Sequence, residues 1–264
     1  RSRVLEVGVA RDAAQRTVER ARLQLTNAQD DLTRLLDVPG TVAPTTPLFV
    51  RAHPLPPVEQ YLDTGTTLRA EVRAAEAARL GANAARDLAA AALKPHAFVY
   101  GTYNFNRRHA VAVDPDWMVG IGVQFTLISN IDRREMLSAA ESRQRSADRA
   151  KEAAERTARQ EITRAWNQTE LARQSFLSLE SSLVAARENL RVQQISFREG
   201  VGTATDVISA QTALSQAEAQ RVAAAFEYDL ALAALLAASS RDDEFAQHMA
   251  QAEHRLAPPT GSTP

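Results

Sequence analysis

Side chains that could perform chemistry are too scattered in this sequence to define a catalytic or metal site. The five histidines are His53, His96, His109, His248 and His254, and cysteine is absent. Neither a disulfide nor a thiolate metal site can therefore form, and a histidine site would need the fold to bring distant residues together. Glu244 and His248 have the i,i+4 spacing of helical metal ligands, but in so polar a tail we predict a solvated pair.

The glycine-rich segment Gly200-Val201-Gly202-Thr203 superficially resembles a phosphate-binding loop. No Lys-Ser or Lys-Thr pair follows it, and the residues before it predict a helix rather than a strand, so turn formation explains the glycines. No serine lies in a Gly-x-Ser-x-Gly motif, which removes the nucleophile elbow as a candidate. The sequence therefore predicts that the protein is not an enzyme and that it uses no metal or cofactor.

Composition and charge argue against binding to nucleic acid. The formal net charge is −1, and acidic and basic residues are mixed as they are on solvated helix faces. Hydrophobic residues make up 45% of the chain but aromatic residues only 5%, and much of the remainder is alanine, which suits close packing between helices. No run approaches the roughly 18 apolar residues of a transmembrane helix, and the N-terminus has no signal-peptide pattern.

Periodicity and the positions of proline and glycine divide the chain into six segments. The predicted segments are an amphipathic helix at 1–38, an extended linker at 39–65, a helix at 66–94, a β-hairpin at 95–128, a long helical hairpin at 129–238 with its tip at 200–205, and a disordered tail at 239–264. Leu32–Leu36 resembles Leu232–Leu236 at an offset of 200 residues, so we expect the first helix to be the end of an earlier, truncated repeat.

The long helical hairpin is predicted from a stretch without helix breakers. Neither glycine nor proline occurs in residues 123–199, and one helix over most of this range would be on the order of 100 Å long. A coiled-coil seam is predicted from apolar residues and one threonine spaced seven apart: Ile162, Thr169, Phe176, Leu183, Leu190 and Phe197. Ser129 with Asp132, and Thr203 with Asp206, have capping-box spacing, so each pair is predicted to begin a helix.

Two strand-like runs, His96–Asn106 and Asp116–Leu127, predict a β-hairpin. Alternate residues of the second run form one apolar face: Trp117, Val119, Ile121, Val123, Phe125 and Leu127. The opposite face is small or polar: Met118, Gly120, Gly122, Gln124 and Thr126. Strands of about ten residues with one apolar side are typical of transmembrane β-barrels, although a hairpin packed on a soluble core would alternate in the same way. In lipid its edges must be paired, so we expect several copies to join their strands into one closed sheet.

Five short motifs stand out along the chain: Leu68-Arg69-Ala70-Glu71-Val72, Leu93-Lys94-Pro95, Trp117-Met118-Val119-Gly120-Ile121-Gly122, Phe197-Arg198-Glu199-Gly200 and Asp206-Val207-Ile208-Ser209-Ala210-Gln211. Together they resemble those of TolC-like outer-membrane efflux and secretion channels. The resemblance covers about residues 1–238, as the second repeat and the end of the first. It implies a mainly α protein with a β-hairpin, whose long antiparallel helical hairpins form a trimeric α-barrel continued by a transmembrane β-barrel.

This resemblance implies a passive exit duct in the outer membrane of a Gram-negative bacterium, with a periplasmic extension. The implied partners are two further copies of the chain, outer-membrane lipid, a periplasmic adaptor and an inner-membrane transporter. By alignment through Gly200, Asp206 falls at a position of the channel aperture, and Ser209 stands where many relatives carry a second acid. The residues implied to contact the adaptor are Gly200, Val201, Gly202 and Thr203.

Two other classes of protein are compatible with part of the pattern. A periplasmic adaptor also uses long helical hairpins, but it predicts lipoyl-like and soluble β-barrel segments beside the hairpin, and the sequence shows none. A coiled-coil scaffold would account for the seam but not for strands with two different faces. The apolar face of the second strand is therefore the feature that favours a channel.

Overall fold

The computed structural model describes residues 2–40, 42, 44–103, 117–126 and 132–256. The helices are α1 (Ser2–Leu36), α2 (Val58–Leu68), α3 (Ala70–Ala91), α4 (Arg133–Arg198), α5 (Ala204–Ala238) and α6 (Phe245–Ala250). The strands are β1 (Leu48–Val50), β2 (His96–Tyr103), β3 (Trp117–Gln124) and β4 (His254–Leu256). These elements confirm the predicted mainly α class with a β-hairpin, whose connecting residues 104–116 lie outside the described ranges.

Two compact units make up the chain. The first contains residues 1–58, 163–237 and 241–264, and the second contains residues 59–162 and 238–240. Helix α4 contributes its residues up to Ile162 to the second unit and its remaining residues to the first. The β-hairpin belongs to the second unit, and the turn between α4 and α5 belongs to the first.

The first unit contains the antiparallel pairing of α4 with α5. Arg221 of α5 forms an ion pair with Glu180 of α4, and Arg187 of α4 lies 3.5 Å from Glu218 of α5. The predicted seam is buried over much of its length in this unit, at Thr169, Phe176, Leu183 and Leu190. Phe197 is 48% exposed, so the buried part of the seam ends before the turn.

The predicted disordered tail is wrong for residues 239–256, which are ordered. A short 3-10 helix at Asp242–Glu244 leads into α6, and β4 then pairs antiparallel with β1. The Phe49 ring of β1 is 1% exposed and meets the rings of Tyr228 and Phe245 edge-on, at centroid distances of 6.2 and 5.3 Å. The tail is therefore held by a segment about 200 residues earlier in the chain, and a local sequence pattern does not reveal such a partner.

The predicted linker at 39–65 also needs correction, because it contains β1 and most of α2. Its extended part is held against α4 of the first unit: Trp166 Nε1 donates to the Pro56 carbonyl at 2.9 Å, and Arg173 Nη1 donates to the Ala52 carbonyl at 2.7 Å. The predicted helix at 66–94 is instead the end of α2 and the whole of α3, separated at Arg69 by an extended backbone with φ −57° and ψ 137°.

The second unit packs α2 and α3 against the first part of α4. Arg69 donates to Glu161 at 2.6 Å, and Lys151 lies 3.1 Å from Glu76. A Cβ atom added at Gly65 of α2 would lie 2.4 Å from Ile162 Cδ1 and 3.1 Å from Ser239 Cα, so glycine favours this close approach. Ion pairs and small residues together hold these helices in close contact.

We expect Phe49→Ala to release the tail from the first unit. Removing a buried phenylalanine typically costs about 3–5 kcal/mol, because the cavity that it leaves is only partly refilled. Hydrogen exchange of the backbone amides of α6 and β4 should therefore become faster in the full-length protein. Leu35→Ala is the control, because Leu35 of the same unit is 83% exposed and its loss should change stability by less than about 0.5 kcal/mol. Equal protection in both variants would show that Phe49 does not hold the tail.

Candidate functional site

The first candidate site is the apolar face of the β-hairpin. Residues that pair across the two strands lie on the same face, and the pairs on this face are Ala97 with Val123, Val99 with Ile121, Gly101 with Val119, and Tyr103 with Trp117. All eight are apolar or aromatic, and the Tyr103–Trp117 pair lies at one end. The exposed fraction reaches 85% at Ile121, so this apolar face is open to its surroundings.

Two predicted members of this face are not part of β3 in the structure. Phe125 follows the last residue of β3 and is 50% exposed, and Leu127 lies outside the described residues. Trp117, Val119, Ile121 and Val123 are all exposed, as a surface that meets hydrocarbon would require.

The opposite face differs from the predicted set of small and polar residues, because β2 adds aromatic side chains to it. Its cross-strand pairs are His96 with Gln124, Phe98 with Gly122, Tyr100 with Gly120, and Thr102 with Met118. A Cβ atom at Gly120 or Gly122 would lie 2.6 Å from the nearest ring atom of Tyr100 or Phe98. Sequence reasoning missed these two aromatic residues. The pattern that could have revealed them is Phe98-x-Tyr100 in β2 opposite Gly120-x-Gly122 in β3.

The start of α4 ties the hairpin to the helices of the second unit. Arg133 donates from Nη1 to the Ala92 carbonyl at 2.9 Å and from Nη2 to the Thr126 carbonyl. Asp132 Oδ1 accepts from the backbone amides of Arg134 at 2.9 Å and Glu135 at 3.3 Å, so Asp132 itself caps α4. The predicted partner in this cap, Ser129, lies outside the described residues.

The second candidate site is the turn between α4 and α5. Gly200 has φ +77°, its amide donates to the Phe197 carbonyl, and the Val201 amide donates to the Ser196 carbonyl. These two hydrogen bonds define a Schellman motif, and the positive φ explains the glycine. Val201 is 82% exposed at the turn.

The predicted capping box at the start of α5 is confirmed. Asp206 Oδ2 accepts from the Thr203 amide at 2.9 Å and from the Thr203 hydroxyl at 2.6 Å, and the Asp206 amide donates to Thr203 Oγ1 at 3.2 Å. The hydroxyl and amide donors lower the pKa of Asp206, so its carboxylate stays charged at neutral pH. Ser209 is exposed one turn further along α5.

Buried polar groups lie around β1 in the first unit. Asp229 Oδ2 of α5 accepts from the Phe49 amide at 3.2 Å, and burial raises the pKa of this carboxyl to about 7. Its Oδ1 is buried without a hydrogen-bond partner among the described residues. Such a carboxyl favours its neutral form in the folded protein.

The predicted solvated pair of Glu244 and His248 is wrong. His248 is 6% exposed, and its Nδ1 accepts from Arg51 Nη1 at 3.2 Å, since a guanidinium can only donate. Burial and the positive charge of Arg51 lower the pKa of His248, so the imidazole is neutral. Glu244 instead accepts from Arg241 Nε at 2.7 Å.

Comparison with known protein families identifies the family of this chain. A family model described as outer membrane efflux protein matches residues 66–241, more than half of the chain. The chain therefore belongs to the outer membrane efflux protein family, and the resemblance to TolC-like channels is confirmed. A sequence search against curated proteins found no match. Within the described ranges, no helix combines the length and apolar character that crossing a membrane requires.

Solved channel structures share the fold. The open-state MtrE outer membrane channel of Neisseria gonorrhoeae is 23% identical, with a TM-score of 0.66 over 88% of this chain and 53% of that one. The outer membrane protein VceC of Vibrio cholerae is 19% identical, with a TM-score of 0.61 over 86% of this chain and 56% of that one. A membrane protein of Pseudomonas aeruginosa is 20% identical, with a TM-score of 0.64 over 86% and 54%. The chain thus spans a little over half the length of these proteins.

We expect Asp229→Asn to stabilise the protein more at pH 8 than at pH 5. The pKa of Asp229 is about 7 in the folded protein and 3.8 in the unfolded chain. In the wild-type protein, the contribution of the neutral carboxyl to folding stability is therefore complete below pH 3.8 and is lost as the pH rises through about 7. Asparagine does not ionise and can still accept from the Phe49 amide. Thermal unfolding of the full-length protein in detergent at the two pH values measures the difference.

His248 acts in the opposite direction, because its lowered pKa makes acid destabilising below the ordinary value of 6.5. His248 is present in the wild-type protein and in Asp229→Asn, so its effect cancels in the stability difference between them. Asp242→Asn, at an exposed carboxylate of the same unit, is the control and should show no such pH dependence. An equal stability difference for Asp229→Asn at both pH values would contradict the buried-carboxyl interpretation.

Proposed function

We propose that this chain is part of the outer-membrane exit duct of a tripartite efflux pump or type I secretion system. In this function, small molecules or proteins pass unchanged from the periplasm or the pump to the exterior. Membership of the outer membrane efflux protein family supports the proposal. The single observation that carries it is the hairpin face that pairs only apolar and aromatic residues and is exposed along its length.

The hairpin supports assembly into a homotrimer. Within the described residues β2 and β3 form a sheet of two strands, which leaves an edge on each side. Unpaired backbone groups cost several kcal/mol each in hydrocarbon, so membrane-spanning strands form closed barrels. In our proposal the strands of three copies close one barrel in the outer membrane of a Gram-negative bacterium, and the helices continue it into the periplasm as an α-barrel.

The turn between α4 and α5 is the proposed contact with a periplasmic adaptor, which connects the duct to an inner-membrane transporter. Its residues are Gly200, Val201, Gly202 and Thr203. The Schellman motif and the capping box stabilise this turn, while Val201 stays 82% exposed and available to a partner. A preorganised turn loses little conformational entropy on binding.

Asp206 has a second proposed role at the channel aperture, beside its cap. In a trimer, three copies of this carboxylate would form a ring that attracts cations and resists closure through mutual repulsion. Ser209 carries no charge, so the ring would contain one carboxylate from each chain at this level. Both roles are compatible, because the capping hydrogen bonds keep the carboxylate ionised.

The family match favours a channel over the two alternatives. A periplasmic adaptor or a coiled-coil scaffold would account for α4 and α5, but the matched family is that of outer membrane efflux proteins. Neither alternative accounts for an exposed sheet face of apolar and aromatic residues.

We expect Ile121→Lys to reduce insertion of the full-length protein, whereas Gln124→Lys should be tolerated. Ile121 lies on the proposed lipid face, where a lysine near the midplane costs about 2–4 kcal/mol, and Gln124 lies on the opposite face. The amount of SDS-resistant trimer in the outer membrane measures the effect. If both variants form as much trimer as wild type, the apolar face does not meet lipid.

Asp206→Asn and Thr203→Val separate the two proposed roles of Asp206. Asparagine can still accept the capping hydrogen bonds but removes the charge, whereas valine at position 203 removes a hydroxyl donor and keeps the charge. We expect Asp206→Asn to weaken block by divalent cations in single-channel recordings and Thr203→Val to leave that block near the wild-type value. Unchanged block in Asp206→Asn would remove this residue from the aperture.

A further inference from the structure

Aromatic side chains of β2 form a row on the polar face of the hairpin. His96, Phe98 and Tyr100 occupy alternate positions on this strand, so all three project from the same face. The ring centroids of His96 and Phe98 are 6.3 Å apart, and those of Phe98 and Tyr100 are 6.1 Å apart. Aromatic pairs interact favourably at centroid distances of about 4.5–7 Å. We call these three side chains the aromatic row.

Glycines on β3 leave room for two rings of the aromatic row, those of Phe98 and Tyr100. Phe98 pairs with Gly122 and Tyr100 with Gly120, and the ends of both rings occupy the space that a Cβ atom would need. Phe98 and Tyr100 nevertheless remain 44% exposed each. A side chain at either glycine would push the ring away or cover part of its surface.

The aromatic row lies on the more polar of the two faces of the sheet. The polar side chains of β2 and β3 other than Tyr103 are on this face: His96, Tyr100, Thr102 and Gln124. The lining of a transmembrane β-barrel is polar and its outer surface is apolar. In the barrel of our proposed function, this face would therefore line the lumen.

Charge favours a cation as the ligand of the aromatic row. The face of an aromatic ring carries the negative part of its quadrupole and attracts cations. None of residues 96–103 and 117–124 is lysine or arginine, so these strands supply no cation of their own to the rings. They contain no aspartate or glutamate either, so the negative partial charge of this face comes from the ring faces together with the Thr102 hydroxyl and the Gln124 amide oxygen.

We propose that the aromatic row is a binding surface for planar aromatic cations that pass through the channel. A planar aromatic cation can both stack on the exposed rings and make a cation–π interaction with them. An aliphatic cation of equal charge can make the cation–π interaction but cannot stack. The inference rests on the proposed function, because only a closed barrel turns this face towards permeating molecules. A trimer would present three such rows around one lumen.

Block of the full-length channel in planar bilayers tests this inference. The probes are 1-methylquinolinium, a planar aromatic monocation, and tetraethylammonium, an aliphatic monocation. We expect wild-type channels to be blocked by 1-methylquinolinium at the lower concentration. Replacing both rings, in Phe98→Leu/Tyr100→Leu, should raise the half-blocking concentration of 1-methylquinolinium about fivefold and raise that of tetraethylammonium by a smaller factor, because an aliphatic cation loses the cation–π attraction but no stacking.

Two further variants act as controls. Tyr100→Phe keeps the ring and removes only the hydroxyl, so it should retain wild-type block. Weaker block in this variant would show that the hydroxyl, and not the ring, binds the probe. Val99→Leu changes the same strand on its other face and should not affect block by either probe. If the double variant forms no channels, the wild-type comparison of the two probes and the single variant Tyr100→Leu decide the question.

The outcomes distinguish this inference from the proposed function. Wild-type channels that conduct but do not prefer the aromatic probe would overturn the aromatic row as a binding surface and leave the duct intact. Conducting double-variant channels with unchanged block would do the same. A full-length wild-type protein that forms no conducting trimer would overturn both proposals.

Discussion

The register between β2 and β3 is the constraint on which the functional interpretation depends. Val99 pairs with Ile121, and every pair on that face is apolar or aromatic, while His96, Thr102 and Gln124 fall on the other face. Side chains alternate along a strand, so a slip of one residue would move each of them to the opposite face. The cross-strand fit of Phe98 with Gly122 and of Tyr100 with Gly120 supports the observed register, because these rings occupy space that only glycine leaves free.

Hydrogen bonds at the helix ends complement the register of the hairpin. Arg133 donates hydrogen bonds to Ala92, just after α3, and to Thr126, just after β3. These bonds fix the hairpin relative to α3 and α4 within the second unit. In the first unit, the Schellman motif ends α4 and the capping box begins α5, which makes the turn between them compact. Both candidate sites are thus held by hydrogen bonds between side chains and backbone, and their proposed functions require exposed surfaces rather than reactive side chains.

Much of this architecture could be predicted from the sequence because its signals are local. The seven-residue spacing of Thr169, Phe176 and Leu183 predicts one buried helix face, and these side chains are buried. The three-residue spacing of Thr203 and Asp206 predicts a cap, and the hydrogen bonds are present. The alternation from Trp117 to Val123 predicts the exposed apolar face in the same way. Each of these three patterns can be recognised from residues that lie close together in the sequence, within one helical turn, one strand or a few heptads.

The sequence by itself determined the long helices α1, α4 and α5, the hairpin and the two-sidedness of β3, since side-chain periodicity and caps follow from backbone geometry. Only the tertiary structure decided the order of the tail, the burial of His248 and the aromatic lining of the second sheet face. Phe49 needs Tyr228 and Phe245 to be buried, and the rings of Phe98 and Tyr100 need glycines from another strand. Such contacts join residues that are distant in the chain, and the free energy that stabilises them arises only when the folded backbone brings them together.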